Sequence, residues 1–173
     1  MNISLNIIVK SIHMLRNNAK HTIAGGQMDD TDRKILRELL KNSRQSYRKI
    51  ARKLEITTNT VINRVNAMKD KGIIVLDTIM ISPEKVGYSL AALIEMKASK
   101  GKSLEVAATI TKYHNVFAIY DTTGEMDMFV LARFRDRSDL DTFVKNLQKL
   151  EFVERTNTHF VLNTVKEDLR VNV

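Results

Sequence analysis

Three short segments near the start of the chain repeat their apolar residues at the spacing of an α-helix. The stripes are Ile35, Leu36, Leu39 and Leu40 in the first segment, Ile50, Ala51 and Leu54 in the second, and Val61, Val65 and Met68 in the third. The Thr57 hydroxyl can cap the third segment by accepting a hydrogen bond from a free backbone N–H. Gly72 can end the same segment in the left-handed conformation. The pattern predicts three helices around one small core.

The third segment also repeats a set of polar residues. Asn59, Asn63 and Asn66 recur at i, i+4 and i+7, on the side opposite the apolar stripe. A helix with one buried side and amides and basic groups on the other is typical of helices that enter the DNA major groove. The alternative is an ordinary pair of packed helices with asparagines on a solvated face. Because Asn is a mediocre helix former, three in one helix favour a helix-turn-helix.

Positive charge is concentrated on the same helices. Residues 28–72 hold 12 Lys and Arg against 6 Asp and Glu, whereas residues 73–173 hold 13 against 14. The first 27 residues add three basic groups, which completes the net charge of +8. Such a cluster is the electrostatic footprint that the phosphate backbone requires. We predict double-stranded DNA as a partner, contacted by Arg44, Tyr47, Arg48, Thr57, Thr58, Asn59, Thr60, Asn63, Arg64 and Asn66.

The second half of the chain alternates strand-like and helical segments. Strands are predicted at 73–81 (β-branched), at 90–98 (apolar enough to be buried on both faces), and at 116–123, 126–134 and 154–165. Helices are predicted at 103–114, with a stripe of Leu104, Ala107, Ala108 and Thr111, and after Ser138 as cap, with a stripe of Leu140, Phe143, Val144 and Leu147. From residue 90 onward the order is βαββαβ, which implies an antiparallel sheet with both helices on one face. The other face needs a cover, most simply a second copy, so we predict a homodimer.

Residues 1–27 carry a pattern unlike that of the rest of the chain. Gly25-Gly26-Gln27-Met28 is compatible with a purine-rich ribosome-binding site before a start codon, and acids follow Met28 in the first helical turn. We therefore interpret 1–27 as a leader translated from upstream DNA and not native to the protein. An intact native mass that includes these residues would contradict the interpretation.

Several function classes are disfavoured by what the chain lacks. It contains no Cys, so disulfides and thiolate metal sites are excluded and a cytoplasmic setting is favoured. No apolar run has the length of a membrane span, so no membrane partner is expected. The four histidines show no metal-ligand spacing. Since no nucleophile–base pair, phosphate loop or paired-carboxylate site stands out, we expect no cofactor, no metal and no enzymatic activity.

Distributed motifs resemble those of the Lrp/AsnC family of transcription regulators, also called feast/famine regulators. The motifs are DDTDRKIL, IARKLEITTNTVINRV, KGII, TGEMD and TNTHFVLNTVK, between residue 28 and about residue 168. The resemblance implies a helix-turn-helix domain at 28–72, a strand and hinge linker at 73–87, a ligand-sensing and oligomerisation domain at 88–168, and a tail at 169–173. The implied fold class is α+β, with a three-helix domain followed by a ferredoxin-like βαββαβ domain. Dimers of such proteins often assemble into tetramers or octamers.

One residue departs from the family pattern. Glu55 stands in the turn between the second and third helices, where the family usually has Gly. A residue with a side chain in the left-handed conformation costs about 1 kcal/mol. We therefore expect this turn to be tighter or differently shaped.

The resemblance also implies a small-molecule site near the turn between the second and third strands of the sensing domain. The residues concerned are Thr122, Thr123, Gly124, Glu125, Asp127, Thr156 and Thr158. Gly124 lets main-chain N–H groups approach the carboxylate of a free amino acid. Asp127 or Glu125 can pair with its ammonium group, and the threonines offer hydroxyls. The alternative is an ordinary hairpin turn beside ordinary strand threonines.

Three functions are compatible with these patterns. The first is a sequence-specific DNA-binding transcription regulator modulated by a free amino acid. The second is an architectural protein that binds DNA with weak specificity. The third is an enzyme related in fold to haem-pathway decarboxylases, and it ranks last because an amide-and-basic helix face gives such an enzyme no advantage.

Overall fold

The computed structural model describes residues 28–171 and residue 173. In this part the chain forms two compact units, residues 28–80 together with Lys166–Val173, and Ile81–Val165. The break falls inside the predicted linker, but Lys166, Glu167 and Asp168, expected in the second domain, belong to the first unit. The interpretation of the leader lies outside the described residues. No helix in the described part is long and apolar enough to cross a bilayer.

The first unit contains the three predicted helices, α1 (Asp30–Lys41), α2 (Tyr47–Leu54) and α3 (Thr58–Asp70). Each begins with a side chain that accepts a hydrogen bond from a free backbone N–H: Asp29 for α1, Ser46 for α2 and Thr57 for α3. The predicted Thr57 cap is confirmed, with the Thr60 N–H donating to its hydroxyl over 3.1 Å. Gly72 follows α3 with φ of 69°, which confirms the left-handed ending.

The core of this unit is the meeting point of the three predicted stripes. Its fully or almost fully buried side chains are Ile35, Leu36, Ile50, Ala51, Val61, Val65 and Met68. Leu39, Leu54 and Tyr47 are half-buried around them. Because α3 places its entire apolar stripe in this core, its opposite side faces outward.

The predicted strand at 73–81 does not form. The backbone N–H groups of Ile73 and Ile74 donate to the Met68 carbonyl and close the end of α3. From Val75 onward the side chains are exposed, with Val75 at 72% and Ile79 at 66%. A β-branched composition favours a strand, but a strand needs a partner for its backbone groups. The described residues of this chain supply none at 75–81.

The second unit confirms the predicted βαββαβ order. Its elements are β1 (Leu90–Ala98), α4 (Ser103–Ile110), β2 (Val116–Asp121), β3 (Met128–Phe134), α5 (Arg137–Gln148) and β4 (Val153–Phe160), preceded by a short 3₁₀ turn at Glu84–Val86. The four strands form one sheet in the order β2-β3-β1-β4, with antiparallel neighbours throughout. The fold is therefore α+β, as the sequence predicts.

Two helices differ in detail from the prediction. α4 ends at Ile110 rather than His114, and it buries Val106 and Ile110, whereas Leu104 is 66% exposed. Apolar residues lie on two sides of this helix. The side with the β-branched Val106 and Ile110 packs against the sheet, and the side with Leu104 does not. α5 begins earlier than expected, because Asp136 rather than Ser138 caps it by accepting from the Asp139 N–H at 2.8 Å.

β4 is also shorter than predicted and ends at Phe160. Among the described strands its only neighbour is β1, and Phe160 pairs with Ala92 near the beginning of that strand. The Val161 N–H still donates to the Ala91 carbonyl, and only Leu90 of β1 lies beyond that contact. The length of β1 therefore limits the length of β4.

The two faces of the sheet differ in cover. On one face Ile94, Met96, Val130 and other strand residues form a core with Val106, Ile110, Phe143 and Leu147 of the helices. The other face, here called the open face, carries side chains that no described residue covers completely: Leu93, Phe117, Tyr120, Phe129 and Leu131. β1 was predicted to be buried on both faces, but in a single chain it is buried on one and half-exposed on the other.

Candidate functional site

The outward side of α3 carries a row of free amides. Asn59, Asn63 and Asn66 are exposed, while Val61 and Val65 on the opposite side are at most 1% exposed. Among residues 28–171 none of the three carboxamide groups has a hydrogen-bond partner. Each amide therefore keeps its donor and acceptor groups for an external partner. The structure thus shows the predicted amide face on the surface.

The three predicted threonines lie at the beginning of α3. The hydroxyls of Thr57 and Thr60 are 2.8 Å apart, and Thr57 also receives the backbone N–H of Thr60. Thr58 and Thr60 are half-buried. These contacts fix the first turn of the helix, which is the part that meets base edges in helix-turn-helix proteins.

Arg64 does not lie free on the amide face. Its Nη1 atom is 2.6 Å from Asp29 Oδ2 and 2.8 Å from Asp32 Oδ1, so it bridges α3 to the start of α1. The hydrogen bonds that Arg64 donates, to Asp32 first and then to Asp29, raise its pKa. The pKa of Asp29 is lowered, first by the Asp32 backbone N–H and then by Arg64. Sequence spacing could not reveal this clamp, because its partners are more than 30 positions away.

The α2 region presents a cluster of exposed cations. Arg48, Lys49 and Arg52 lie on α2, and Arg44 lies in the turn before it. No carboxylate in the described part of the chain pairs with any of the four. Tyr47, also predicted to contact DNA, is half-buried against the helical core. The cluster therefore presents four exposed cations that keep their charge for an external anion.

Lys53 differs from its neighbours on α2. Its Nζ atom is 2.7 Å from Oε2 of Glu38, and Lys41 lies 2.9 Å from the other oxygen of that carboxylate. Glu38 is only 7% exposed, so its charge needs both partners. The Lys53 hydrogen bond, followed by that of Lys41, lowers the pKa of Glu38. This pair ties α2 to α1 rather than serving an external anion.

Glu55 occupies the position that the resemblance reserves for glycine. Its φ of 57° and ψ of 39° place it in the left-handed region, and its N–H donates to the Ala51 carbonyl. The turn therefore keeps the left-handed geometry instead of changing shape. Its side chain is exposed, so the cost of this conformation falls on the backbone.

The predicted effector turn is a hairpin held by hydrogen bonds among its own residues. The Thr122 N–H donates to the Asp127 carbonyl over 2.9 Å, and the Thr122 hydroxyl donates to the Met126 carbonyl over 3.2 Å. Gly124 has φ of 127°, and a Cβ built there would meet open space. Thr123 and Glu125 are exposed, and Glu125 lies 3.6 Å from Arg155 of β4.

Asp127 already has partners within the protein. One of its oxygens accepts the Ala98 N–H over 2.8 Å, and the other is 3.1 Å from Lys97 Nζ. These contacts, the Ala98 N–H first and Lys97 second, lower the pKa of Asp127. The carboxylate therefore fastens the hairpin to the end of β1.

The two β4 threonines lie at different distances from this turn. Thr156 pairs with Met96 of β1, whose other neighbour in the sheet is Met128, the first residue after the turn. The Thr156 hydroxyl is 3.4 Å from Gln148 Nε2. Thr158 lies two residues further along β4, next to Ile94. Thr156 thus lies nearer the hairpin than Thr158, and both are half-buried on the helix-covered face of the sheet.

A pocket of about 330 Å³ opens beside the same end of the sheet. Its polar lining includes Lys97, Ser99, Lys100, Ser103, Asp127 and Glu154. Lys97 and Asp127 pair with each other there, so Lys100 and Glu154 are the charged lining groups without an ion pair among the described residues. One cation and one carboxylate facing a small volume suit a zwitterion. No sequence pattern identified Lys97, Lys100 or Glu154, because strand pairing and the connection to α4 bring them together.

Known proteins resemble both units of this chain. A winged helix-turn-helix DNA-binding family model matches residues 28–75, and a model described as the Lrp/AsnC ligand binding domain matches residues 91–171. An uncharacterized HTH-type transcriptional regulator of Pyrococcus horikoshii, PH1692, is 45% identical over 145 residues, which cover 84% of this chain and 98% of the relative. The HTH-type transcriptional regulator FL11 of Pyrococcus furiosus is 33% identical over 148 residues, covering 86% and 98%.

Two solved structures are similar in fold to this chain. AsnC of E. coli superimposes with a TM-score of 0.78 at 27% identity, covering 83% of this chain and 98% of that one. The transcriptional regulator NMB0573 of Neisseria meningitidis, crystallised in complex with L-methionine, gives a TM-score of 0.77 at 28% identity, covering 84% and 96%.

Proposed function

Since this chain belongs to the Lrp/AsnC family and is a DNA-binding transcription regulator, we propose a division of roles among its parts. α3 reads base edges in the major groove, the α2 cations hold the phosphate backbone, and a free amino acid modulates the protein through the sheet unit. The observation that supports this most strongly is the row of unpartnered amides on α3, directly opposite a fully buried stripe.

Sequence preference is the first property to test. We expect selection from random duplex DNA to enrich one motif, and the purified protein to bind it far more tightly than random DNA at physiological salt. Arg48→Ala should weaken binding to both, because phosphate contacts do not depend on sequence. Lys112→Ala removes an exposed cation of the sheet unit and serves as the matched control. Equal affinity for selected and random DNA would favour the architectural alternative instead.

We propose that two copies cover each other's open faces. This face exposes aromatic side chains, with Phe117 at 44% and Tyr120 at 51%, and such a patch marks an interaction surface. Leu131 lies on the open face in β3, one of the two inner strands, so Leu131→Asp should give monomers in light scattering coupled to gel filtration. Thr142→Asp adds the same charge at an exposed position of α5 and should leave the mass unchanged. A monomeric wild-type protein at micromolar concentration would refute the proposal.

The effector is proposed to be a free α-amino acid at the hairpin and its neighbouring pocket. Support comes from the ligand-binding family match, from the L-methionine complex of NMB0573, and from the opposite charges that line the pocket. We expect at least one amino acid to raise the melting temperature, and its N-acetylated and amidated forms to have no effect. Glu125→Gln should weaken the response, whereas Glu151→Gln, an exposed carboxylate outside the hairpin, should not. Equal responses to free and blocked forms would refute zwitterion recognition.

A further inference from the structure

We infer that α3 reads adenine, and not guanine, at two positions of its DNA target. The inference rests on the proposed function, because it requires α3 to lie in the major groove. Its subject is the chemical identity of the bases, which family membership does not determine. Two independent observations carry it: which side chains of α3 are free, and which are already paired within the protein.

The free groups are carboxamides. An Asn side chain pairs with adenine through two hydrogen bonds, donating to N7 and accepting from the exocyclic N6 amino group. It can do so only if its N–H and C=O groups are not used within the protein. For Asn59 and Asn63 both groups are exposed and unpartnered among the described residues. Both amides are therefore available for adenine.

The groups that would select guanine are paired inside the protein. Arg and Lys are the side chains that read guanine, through O6 and N7, and α3 contains one of each, Arg64 and Lys69. Arg64 is clamped by Asp29 and Asp32 at 2.6 and 2.8 Å. Lys69 lies 2.6 Å from Asp77. The helix thus presents amides to the groove while its own cations face carboxylates.

Helix geometry sets the spacing of the two bases. Asn59 and Asn63 are four residues apart, which is about 6 Å along the helix axis. Base pairs are stacked about 3.4 Å apart, so the two amides span about two base-pair steps. Both residues lie in the first half of α3, the part that contacts bases in helix-turn-helix complexes. Asn66 lies one turn further on, and we assign no base to it.

The test uses the intact protein and a duplex obtained by selection. At each adenine assigned to α3, one duplex carries 7-deaza-adenine, which lacks only the N7 acceptor. Asn63→Ala removes a whole bidentate pair, worth about 1–3 kcal/mol, so it should lower affinity for the normal duplex by about 5- to 150-fold. For the wild type we expect a smaller loss with 7-deaza-adenine at the contacted position, because one of the two hydrogen bonds remains. Asn63→Ala should show no further loss with the modified base at that position. Asn66→Ala should retain the full 7-deaza effect.

A second variant tests base identity directly. Asn63→Arg places an unpaired guanidinium at the same exposed position, and repeated selection should replace one adenine by guanine. Arg64→Lys should leave the selected bases unchanged, because residue 64 does not read them. Guanine or cytosine at both wild-type positions, or a 7-deaza loss of equal size in Asn63→Ala, would overturn the inference while leaving the proposed function intact. Absence of any enriched motif would instead refute the proposed function.

Discussion

Glu55 offers a direct test of how backbone strain limits the stability of the helical unit. It is the first residue after α2, in the turn that leads to α3, and it has φ of 57° and ψ of 39°. Its side chain is exposed and has no ion pair within the described residues. Replacing it by glycine removes the Cβ from a left-handed position without removing any contact. We therefore expect Glu55→Gly to stabilise the helix-turn-helix.

The magnitude follows from two opposing contributions. A side chain in the left-handed region costs about 1–2 kcal/mol, which glycine avoids. Glycine loses more conformational freedom on folding, which costs about 0.5–1 kcal/mol. The difference between the two ranges is about 0–1.5 kcal/mol, and its middle part, about 0.5–1 kcal/mol, is the net gain we expect. Since Glu55→Ala retains the Cβ but also removes the carboxylate, comparison of the Gly and Ala variants separates the backbone effect from the effect of charge.

Hydrogen exchange of the α2 and α3 amides measures this gain without interference from the sheet unit. A net stabilisation of 0.5–1 kcal/mol corresponds to protection about 2- to 5-fold greater in Glu55→Gly than in Glu55→Ala. Urea denaturation followed by the helical circular dichroism signal should move to a higher midpoint in the same order. If the Ala variant were as protected as the Gly variant, the strain argument would be wrong.

Three further predictions concern charged groups. Arg48→Ala should reduce the slope of log affinity against log salt concentration by about 0.9, because one phosphate contact is lost; binding titrations at several salt concentrations check this, and an unchanged slope would remove Arg48 from the interface. The pKa of Glu38 is lowered in the folded protein, so its stabilising effect is complete above its ordinary value of 4.5 and is lost as pH falls through the lowered pKa. The difference in urea midpoint between wild type and Glu38→Gln should accordingly be largest at neutral pH and shrink on acidification; a difference independent of pH would contradict the assignment. Asp127→Ala should speed exchange of the Ala98 amide, which donates to that carboxylate; Glu125→Ala is the control, and equal exchange in both variants would show that the fastening is not made in solution.

The sequence predicts those features that depend on periodicity within a single element. The buried stripe and free amides of α3, its Thr57 cap and the βαββαβ order all follow from spacing and composition. These features are local, because a helix or strand buries one face and the pattern of apolar residues identifies it. Where one helix carries two apolar stripes, as α4 does, the pattern fails to choose, and the exposed Leu104 is the result.

Periodicity does not predict contacts between residues that are far apart in the sequence. The segment at 73–81 has the composition of a strand, but none of the described residues pairs with 75–81. Arg64 looks like a DNA contact until α1 is placed beside α3 and supplies Asp29 and Asp32. Asp127 looks like a ligand for an ammonium group until β1 brings Ala98 and Lys97 to it. Residue type indicates what a side chain can bind, and only the fold shows which groups are already bound.

In the helical unit, the difference between paired and unpaired side chains also separates the residues expected to give affinity from those expected to give specificity. The formal surplus of six positive charges in residues 28–72 does not spread evenly, because both cations of α3 are paired with carboxylates. The unpaired cations Arg48, Lys49 and Arg52 lie instead on α2. Phosphate contacts give salt-dependent affinity for any duplex, whereas amide contacts with bases give preference among duplexes. Because the two sets of side chains lie on different helices, mutations in α2 should change affinity without changing the motif, and mutations of the α3 amides should change the motif without changing the salt dependence.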